Sequence, residues 1–304
     1  MTKSSLETVL QCVRSVWPEH ERYLNKSFLN RTGPLLEDST LLASTITSIA
    51  EDDLERVALN YKWTCEQLWV ETLEFRRTGR YRFSTFSEVS STVYNNASYM
   101  ERYLDGLLLS QLLWENHFRA FSYLRRSFLP NSPQGYRYLE IGPGHGVLTL
   151  LAAIDPNCAT ATAWDLSQTA LDKAAHSIKK ASNRSNVNFE LRDATSLSEV
   201  TSKFDNIVMS EILEHTENPT EILKSVSGLL SKEGRIFVNF PVNSPAVDHI
   251  YHLATAKEVQ GLVESAGFRV TDLQQFPLTG YSLERAAKLN ATISCVIVAR
   301  PNDQ

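Results

Sequence analysis

The sequence predicts an α/β protein in which a helical N-terminal region precedes a doubly wound, mostly parallel sheet. Three observations carry this. Of 12 glycines only Gly33, Gly79 and Gly106 precede residue 130, and that stretch holds long amphipathic runs, as helices require. From Tyr136 onward, short apolar runs alternate with segments of helical spacing, the order that βαβ units produce. A glycine cluster at 142–146 closes the first of those runs and opens the next helix.

Taken in order, residues 54–75 place Leu54, Val57, Ala58, Tyr61, Cys65, Leu68 and Trp69 at helical spacing. A second run over 98–129 carries an apolar block at 107–109, then Leu112, Leu113, Phe118, Phe121 and Leu124. The segment 130–135, Pro-Asn-Ser-Pro-Gln-Gly, breaks the helical pattern. It sets the expected division into a helical cap, 1–132, and a sheet domain, 133–304. Strands are expected at 136–142, 160–165, 186–191, 204–210, 235–240, 268–276 and 291–300. Helices are expected at 147–154 and at 167–181, with Ser167 as N-cap. Two more are expected at 216–230, ending in a Lys-Glu-Gly turn, and at 256–266, stopped by Gly267. The last two strands have no helical spacing between them, so an antiparallel hairpin with a 14-residue connector is expected.

Composition narrows the function. Lys plus Arg is 30 and Asp plus Glu is 35, a net charge of −5. A protein that coats nucleic acid needs a cationic excess, so no nucleic-acid partner is expected. The cap is balanced, with 15 basic and 16 acidic residues up to Pro130. The nearest two of the four cysteines, Cys12 and Cys65, lie 53 residues apart, so there is no CxxC metal pair. Scattered cysteines in a long chain fit a reducing compartment. The N-terminus meets charge before any secretory apolar region develops, and no apolar stretch is long enough to span a bilayer. A cytoplasmic protein without membrane attachment is expected.

The most informative residues are Glu140-Ile-Gly142-Pro-Gly144-His-Gly146. Glycine there lets the backbone turn tightly and approach a ligand without Cβ interference. The pattern is GxGxG. A dinucleotide fingerprint would need glycine at 147, where Val147 stands, and no P-loop lysine follows. Asp165 ends the second strand 19 residues after Gly146, where a carboxylate can accept both hydroxyls of a ribose. Asp193 ends the third strand, a position suited to an exocyclic adenine amine. Together these residues describe an adenosine pocket without phosphate-binding charge.

Five motifs resemble class I S-adenosylmethionine-dependent methyltransferases, in the family's order over 136–300. They are LEIGPGHG, the ribose acid Asp165, the adenine-side acid Asp193, FDNIVMSEILEH (204–215) and LSKEGRIFVNFP (230–241). The resemblance implies a seven-stranded sheet of order 3-2-1-4-5-7-6 with its last strand antiparallel. It implies S-adenosylmethionine over the strand C-termini, held by Glu140, Gly142, Gly144, Gly146, Asp165, Leu166, Asp193, Ala194, Ser210 and Glu211. Simpler roles stand beside these. Glu140 reads equally as a buried acid paired with a backbone amide, and Asp165 as a cap for the following helix.

Glu211, Glu214 and His215 stand at i, i+3 and i+4, which on a helical turn share one face. Such a face can bind a divalent ion through two carboxylates and an imidazole. Asp248-His249-Ile-Tyr-His252 follows the fifth strand, whose end neighbours that of the fourth. This arrangement is similar to the polyprenyl O-methyltransferases of ubiquinone synthesis and to the small-RNA 2′-O-methyltransferases. Carried over, the ligands of Mg²⁺ or Mn²⁺ are Glu211, Glu214, His215 and either His249 or His252, with His252 the expected fourth. Without a metal, His215, His249 or His252 serves as general base, imidazole having an ordinary pKa of about 6.5.

In the cap, the tyrosine-rich run with Tyr94, Tyr99 and Tyr103 resembles the pre-core segment of small-molecule methyltransferases, where aromatics close over the cofactor. Tyrosine faces attract a sulfonium cation. Tyr99 and Tyr103, at i and i+4, read equally well as core residues. His117 is expected to be a satisfied core histidine, and the arginines of 76–82 either grip an acidic acceptor or belong to a solvated loop. The implied activity is methyl transfer to a small-molecule acceptor, of the kind used in secondary metabolism. Two alternatives stand beside it. One is a cyclase that forms azetidine-2-carboxylate from S-adenosylmethionine and releases methylthioadenosine. The other is a non-catalytic cofactor- or partner-binding protein. The oligomeric state is not readable from the sequence.

Overall fold

The computed structural model describes residues 4–182, 184–194, 197 and 201–302. Helix α1 (Ser5–Val16) opens on a capping box of Ser4 and Glu7, which satisfies amide donors the helix itself leaves free. It is followed by α2 (Glu21–Phe28), α3 (Pro34–Ala50) and α4 (Leu54–Thr78). The helix α4 ends where Gly79 turns left-handed at φ +70° and its amide reaches the Phe75 carbonyl. Then come α5 (Phe86–Val89), α6 (Ala97–Leu113) and α7 (Glu115–Tyr123). Helices α4 and α6 approach so closely that a Cβ on Gly106 would lie 2.0 Å from Thr64 Oγ1.

The sheet has seven strands, β1 (Tyr136–Ile141), β2 (Cys158–Asp165), β3 (Val187–Leu191), β4 (Phe204–Ser210), β5 (Leu230–Val242), β6 (Phe268–Pro277) and β7 (Ile293–Pro301). Their order is β3-β2-β1-β4-β5-β7-β6. Strands β1 to β5 pair in parallel, and β7 runs antiparallel to both β5 and β6. The expected order and the antiparallel β7 are both present. Helices α8 (Val147–Ile154), α9 (Gln168–Ala181), α10 (Pro219–Ser227), α11 (Ala256–Ser265) and α12 (Leu283–Lys288) cover the faces. Ser167 caps α9 through Ala170 N, as its sequence position predicts.

Two expectations are corrected. The helix expected over 216–230 is only Pro219–Ser227. Pro219 fixes its first turn, and Leu230 already pairs with Phe204, which draws the Lys-Glu-Gly segment into β5 across a register shift. The connector between β6 and β7 contains α12, capped by Ser282. Six residues are too short for a helical period to show in the sequence.

Successive residues of β1 point to opposite faces, and each face has its own core. On one side Tyr138, Val208, Phe237 and Val296 pack with Leu112, Phe121, Leu24, Tyr61 and Val9. On the other side Leu139, Ile207, Val238 and Ile297 pack with Trp164, Phe240 and Leu262. The helical region therefore shares its core with one face of the sheet. Among the described residues no helix is long and apolar enough to cross a membrane.

A buried charge cluster ties the two parts. Asp105 of α6, with its side chain 1% exposed, accepts from Asn60 Nδ2 at 2.9 Å, from Lys173 Nζ of α9 at 2.5 Å, and from Arg56 of α4. Removing one partner of such a cluster leaves the other charges uncompensated. Asp105→Ala is expected to lower stability by about 3 kcal/mol in urea unfolding. The double variant with Lys173→Ala is expected to lose less than the sum of the two single losses.

Candidate active site at the carboxyl ends of the central strands

The strand order reverses between β1 and β4, and in doubly wound sheets ligands bind outside the carboxyl ends of the strands at such a reversal. The loop leaving β1 carries Gly142, Gly144 and Gly146 at φ +72°, +50° and +81°, which disfavour any residue with a Cβ. Space makes the same demand at two of them. A Cβ on Gly142 would lie 1.9 Å from Ile212 Cδ1, and one on Gly146 would lie 2.8 Å from the Ala174 Cα.

Three acids stand around this loop. Glu140 is buried beneath it, accepting from Thr149 Oγ1 and from Tyr138 Oη at 3.4 Å. The Thr149 backbone amide also reaches it, as the simpler reading of this residue expected, and burial pushes its carboxyl up to about 8. Asp165 closes β2 with Oδ1 accepting from the Ser167 amide at 2.8 Å, and burial pushes it up to about 6. The Arg192 amide donates to the Asp165 carbonyl at 2.9 Å, which holds the end of β3 beside the end of β2. Asp193 follows there, exposed, with Ala194 packed against the second core. Leu166 leaves its side chain half-exposed beside Asp165.

After β4 the chain takes an unusual turn. Glu211 is left-handed at φ +57°. Its carboxylate and Ser210 Oγ both accept from Asn239 Nδ2, at 2.8 and 3.2 Å. A 3₁₀ turn over Leu213–His215 follows. Glu211, Glu214 and His215 therefore do not share a helical face as expected, and Glu211 turns to Asn239 instead. Glu214 is fully buried, neither of its carboxylate oxygens has a hydrogen-bond partner, and burial raises its pKa well above the usual carboxylate range. Its backbone carbonyl accepts from the amides of both Ile250 and Tyr251 at 2.9 Å.

His215 Nδ1 lies 2.9 Å from the Asp248 carbonyl and His249 Nδ1 lies 2.6 Å from the Ser244 carbonyl. A carbonyl only accepts, so both histidines carry their proton on Nδ1. Their Nε2 lone pairs then face Glu214 Oε1, at 3.8 and 3.9 Å. Burial lowers His249 to about 4, so its ring stays neutral at physiological pH. His252 is not part of this cluster. Its Nε2 lies 3.0 Å from Asn243 Oδ1, and its ring rests edge-on against Phe75 and Tyr81. Of the expected residues the structure brings together Glu214, His215 and His249, the first of the two candidate histidines, with one side-chain ligand atom of each within 4.8 Å of the others; Glu211 and His252 lie outside this group.

The cap closes over this cluster. Tyr103 Oη donates to Asp248 Oδ1 at 3.2 Å and Tyr94 Oη to Oδ2 at 3.5 Å. Tyr99 stands one place further out, edge-on to Trp63, with its buried hydroxyl unpartnered. Sequence reasoning missed Tyr81, whose Oη accepts from the Ser244 amide at 3.2 Å, and Asn239. It also gave Asp248 no role of its own. Of the arginines at 76–82, Arg82 pairs with buried Glu71 at 2.6 Å and Arg77 with Glu74. His117 is a core histidine satisfied by Ser110 Oγ at 2.9 Å.

A family model for the methyltransferase domain matches residues 113–273, more than half of the chain. The chain belongs to this methyltransferase family. Among curated proteins it is similar to the ubiquinone biosynthesis O-methyltransferase of Coxiella burnetii, at 26% identity over 130 residues, 43% of this chain and 53% of that protein. The chain thus spans about half the length of the curated relatives it matches. Among solved structures, an O-methyltransferase family protein from Burkholderia thailandensis superposes with a TM-score of 0.56 at 15% identity, covering 84% of this chain and 74% of that one. The mitomycin 7-O-methyltransferase gives 0.54 at 13% identity, covering 86% and 73%. At these identities the two structures show a shared fold, including part of the helical region.

The raised pKa of Asp165 gives a pH test. Only its ionised form can accept from both hydroxyls of a vicinal diol, so affinity is present above the shifted pKa and lost as pH falls through about 6. Calorimetric titration with S-adenosylhomocysteine is expected to show binding several-fold weaker at pH 5 than at pH 7.5. Asp165→Asn is expected to bind weakly at both pH values, without that slope.

Proposed function

We propose that the protein transfers a methyl group from S-adenosylmethionine to a small-molecule acceptor. The observation that carries this reading is Asp165 at the carboxyl end of β2, next to β1 and its loop of three left-handed glycines, where the strand order then reverses. A ribose fits there, and no cationic side chain of the glycine loop is present to hold a phosphate. Bound S-adenosylmethionine supplies an electrophilic methyl on a sulfonium. The loop at 142–146 and Asp165 hold its nucleoside side. Tyr94, Tyr103 and Asp248 stand between the cap and the histidines, where tyrosine rings and a carboxylate suit a cationic neighbour. His215 Nε2 can take a proton from an acceptor hydroxyl, while burial makes His249 the weaker base. Holding the reactants in line is the larger task, and the cap's aromatic side chains do this by fixing the acceptor and excluding water.

The cluster of Glu214, His215 and His249 also fits a divalent cation. Two imidazole lone pairs and a carboxylate converge, no donor is shared among them, and both Glu214 oxygens are orphaned. The two Nδ1–H···O=C bonds are the supports that orient metal-binding imidazoles. The nitrogen-rich set suits Mn²⁺ better than Mg²⁺. A cation there would lower the pKa of an acceptor hydroxyl.

Mass spectrometry of the purified chain with S-adenosylmethionine and a panel of hydroxylated aromatic acceptors tests the reaction. S-adenosylhomocysteine with a methylated acceptor is expected. Methylthioadenosine with a cyclised amino acid would replace this reading with intramolecular chemistry.

The metal site is tested by Mn²⁺ titration. Glu214→Gln is expected to weaken Mn²⁺ binding at least about tenfold while leaving S-adenosylhomocysteine affinity unchanged. If no Mn²⁺ binds and Glu214→Gln simply raises the melting temperature, the cluster is an unfilled buried acid and His215 or His249 acts alone.

A further inference from the structure

Four of the ten large apolar side chains exposed among the described residues lie on one helix, α4. They are Leu59, Trp69, Val70 and Leu73, at 48, 57, 51 and 49% exposure. They share one face, interleaved with Glu55, Lys62, Glu66 and Arg77. The spacing along this stripe is that of a helix–helix seam. The opposite face is committed to the core through Val57, Ala58, Tyr61 and Thr64, so the helix cannot rotate to hide the stripe.

We propose that α4 packs against α4 of a second copy of this chain, antiparallel and two-fold symmetric about Glu66. The charge pattern specifies this occupant. Residues equally far before and after Glu66 meet across such a pair. Leu59, seven before, meets Leu73, seven after, and Lys62 meets Val70, four residues either side. Glu55 meets Arg77, each eleven residues from the centre. A parallel pair would instead set Glu55 against Glu55 and Arg77 against Arg77, a repulsion at both ends. The wider charges agree with the antiparallel choice. Glu51, Asp52 and Asp53 lead into the helix, and Arg76 and Arg80 stand at its far end. Antiparallel helix dipoles add to the attraction.

Only Glu66 is opposed by its own copy, and Lys62, one turn away on each chain, supplies the compensating charge. The 25-residue helix is about 37 Å long. A single helix face offers less than a standard interface, so a reversible dimer is expected.

Sedimentation equilibrium of the full chain over about 1–100 µM tests this. A monomer–dimer equilibrium is expected. Leu73→Glu should weaken it at least about tenfold. Glu55→Arg should weaken it, and adding Arg77→Glu to the same chain should restore it, because both ionic pairs re-form in reversed sense. Glu66→Gln should tighten the dimer. All four positions are exposed, and a thermal melt of each variant confirms that it folds. A chain that stays monomeric throughout overturns the proposal. So does a dimer that survives Leu73→Glu, or a charge swap that restores nothing.

Discussion

The arrangement of the molecule rests on one shared hydrophobic core. The helices before β1 do not close around apolar residues of their own. They pack directly on one face of the sheet, with Tyr138, Val208 and Phe237 below and Leu112, Phe121 and Tyr61 above. This fixes α6, and α6 carries Tyr99 and Tyr103 toward the crevice while Asp105 grips α9. The roof of the site is therefore part of the structural core. It is set by the same burial that folds the sheet.

Beneath that roof, carboxyls are concentrated where water is scarce. Glu140, Asp165, Glu211 and Glu214 all have raised pKa values, and burial is the leading cause in each. Burying four acids near the carboxyl ends of adjacent strands costs stability, since each charge is held away from water. The acids divide into two kinds. Glu140 and Glu211 have hydrogen-bond partners inside the protein, Thr149 and Tyr138 for one and Asn239 for the other. Glu214 has none for its carboxylate and faces the imidazoles of His215 and His249.

Much of the scaffold was legible in the sequence because its signals are local. A left-handed backbone at 142, 144 and 146 restricts residue type so strongly that glycine announces it. The fourth strand, 204–210, coincides with its apolar run. The glycine loop and the place of Asp165 at the end of β2 were legible for the same reason. The other side of the site was not. Glu211 adopts a left-handed backbone that glutamate does not signal, so an i, i+3, i+4 spacing suggested a shared helical face that does not form. That His249 and not His252 lies beside Glu214 depends on the fold of the loop after β5, where Asn243 draws His252 away and the Ser244 carbonyl orients His249. Tyr81 enters from the far end of α4, and nothing near it in sequence points to Ser244. The helix α12 was too short to show a period. The shared core was hidden too, because a proline-rich break marks where the chain turns, not where a packing unit ends.

The carbonyl of Glu214 accepts two consecutive amides, from Ile250 and Tyr251. That fork fastens the loop bearing His249 to the turn bearing Glu214 and His215, main chain to main chain. The distance between the two imidazoles is consequently a property of the backbone and does not wait for an acceptor to arrive. Any molecule bound there would meet the two rings at a spacing the main chain has already set, so the protein has no such ordering cost left to meet on binding.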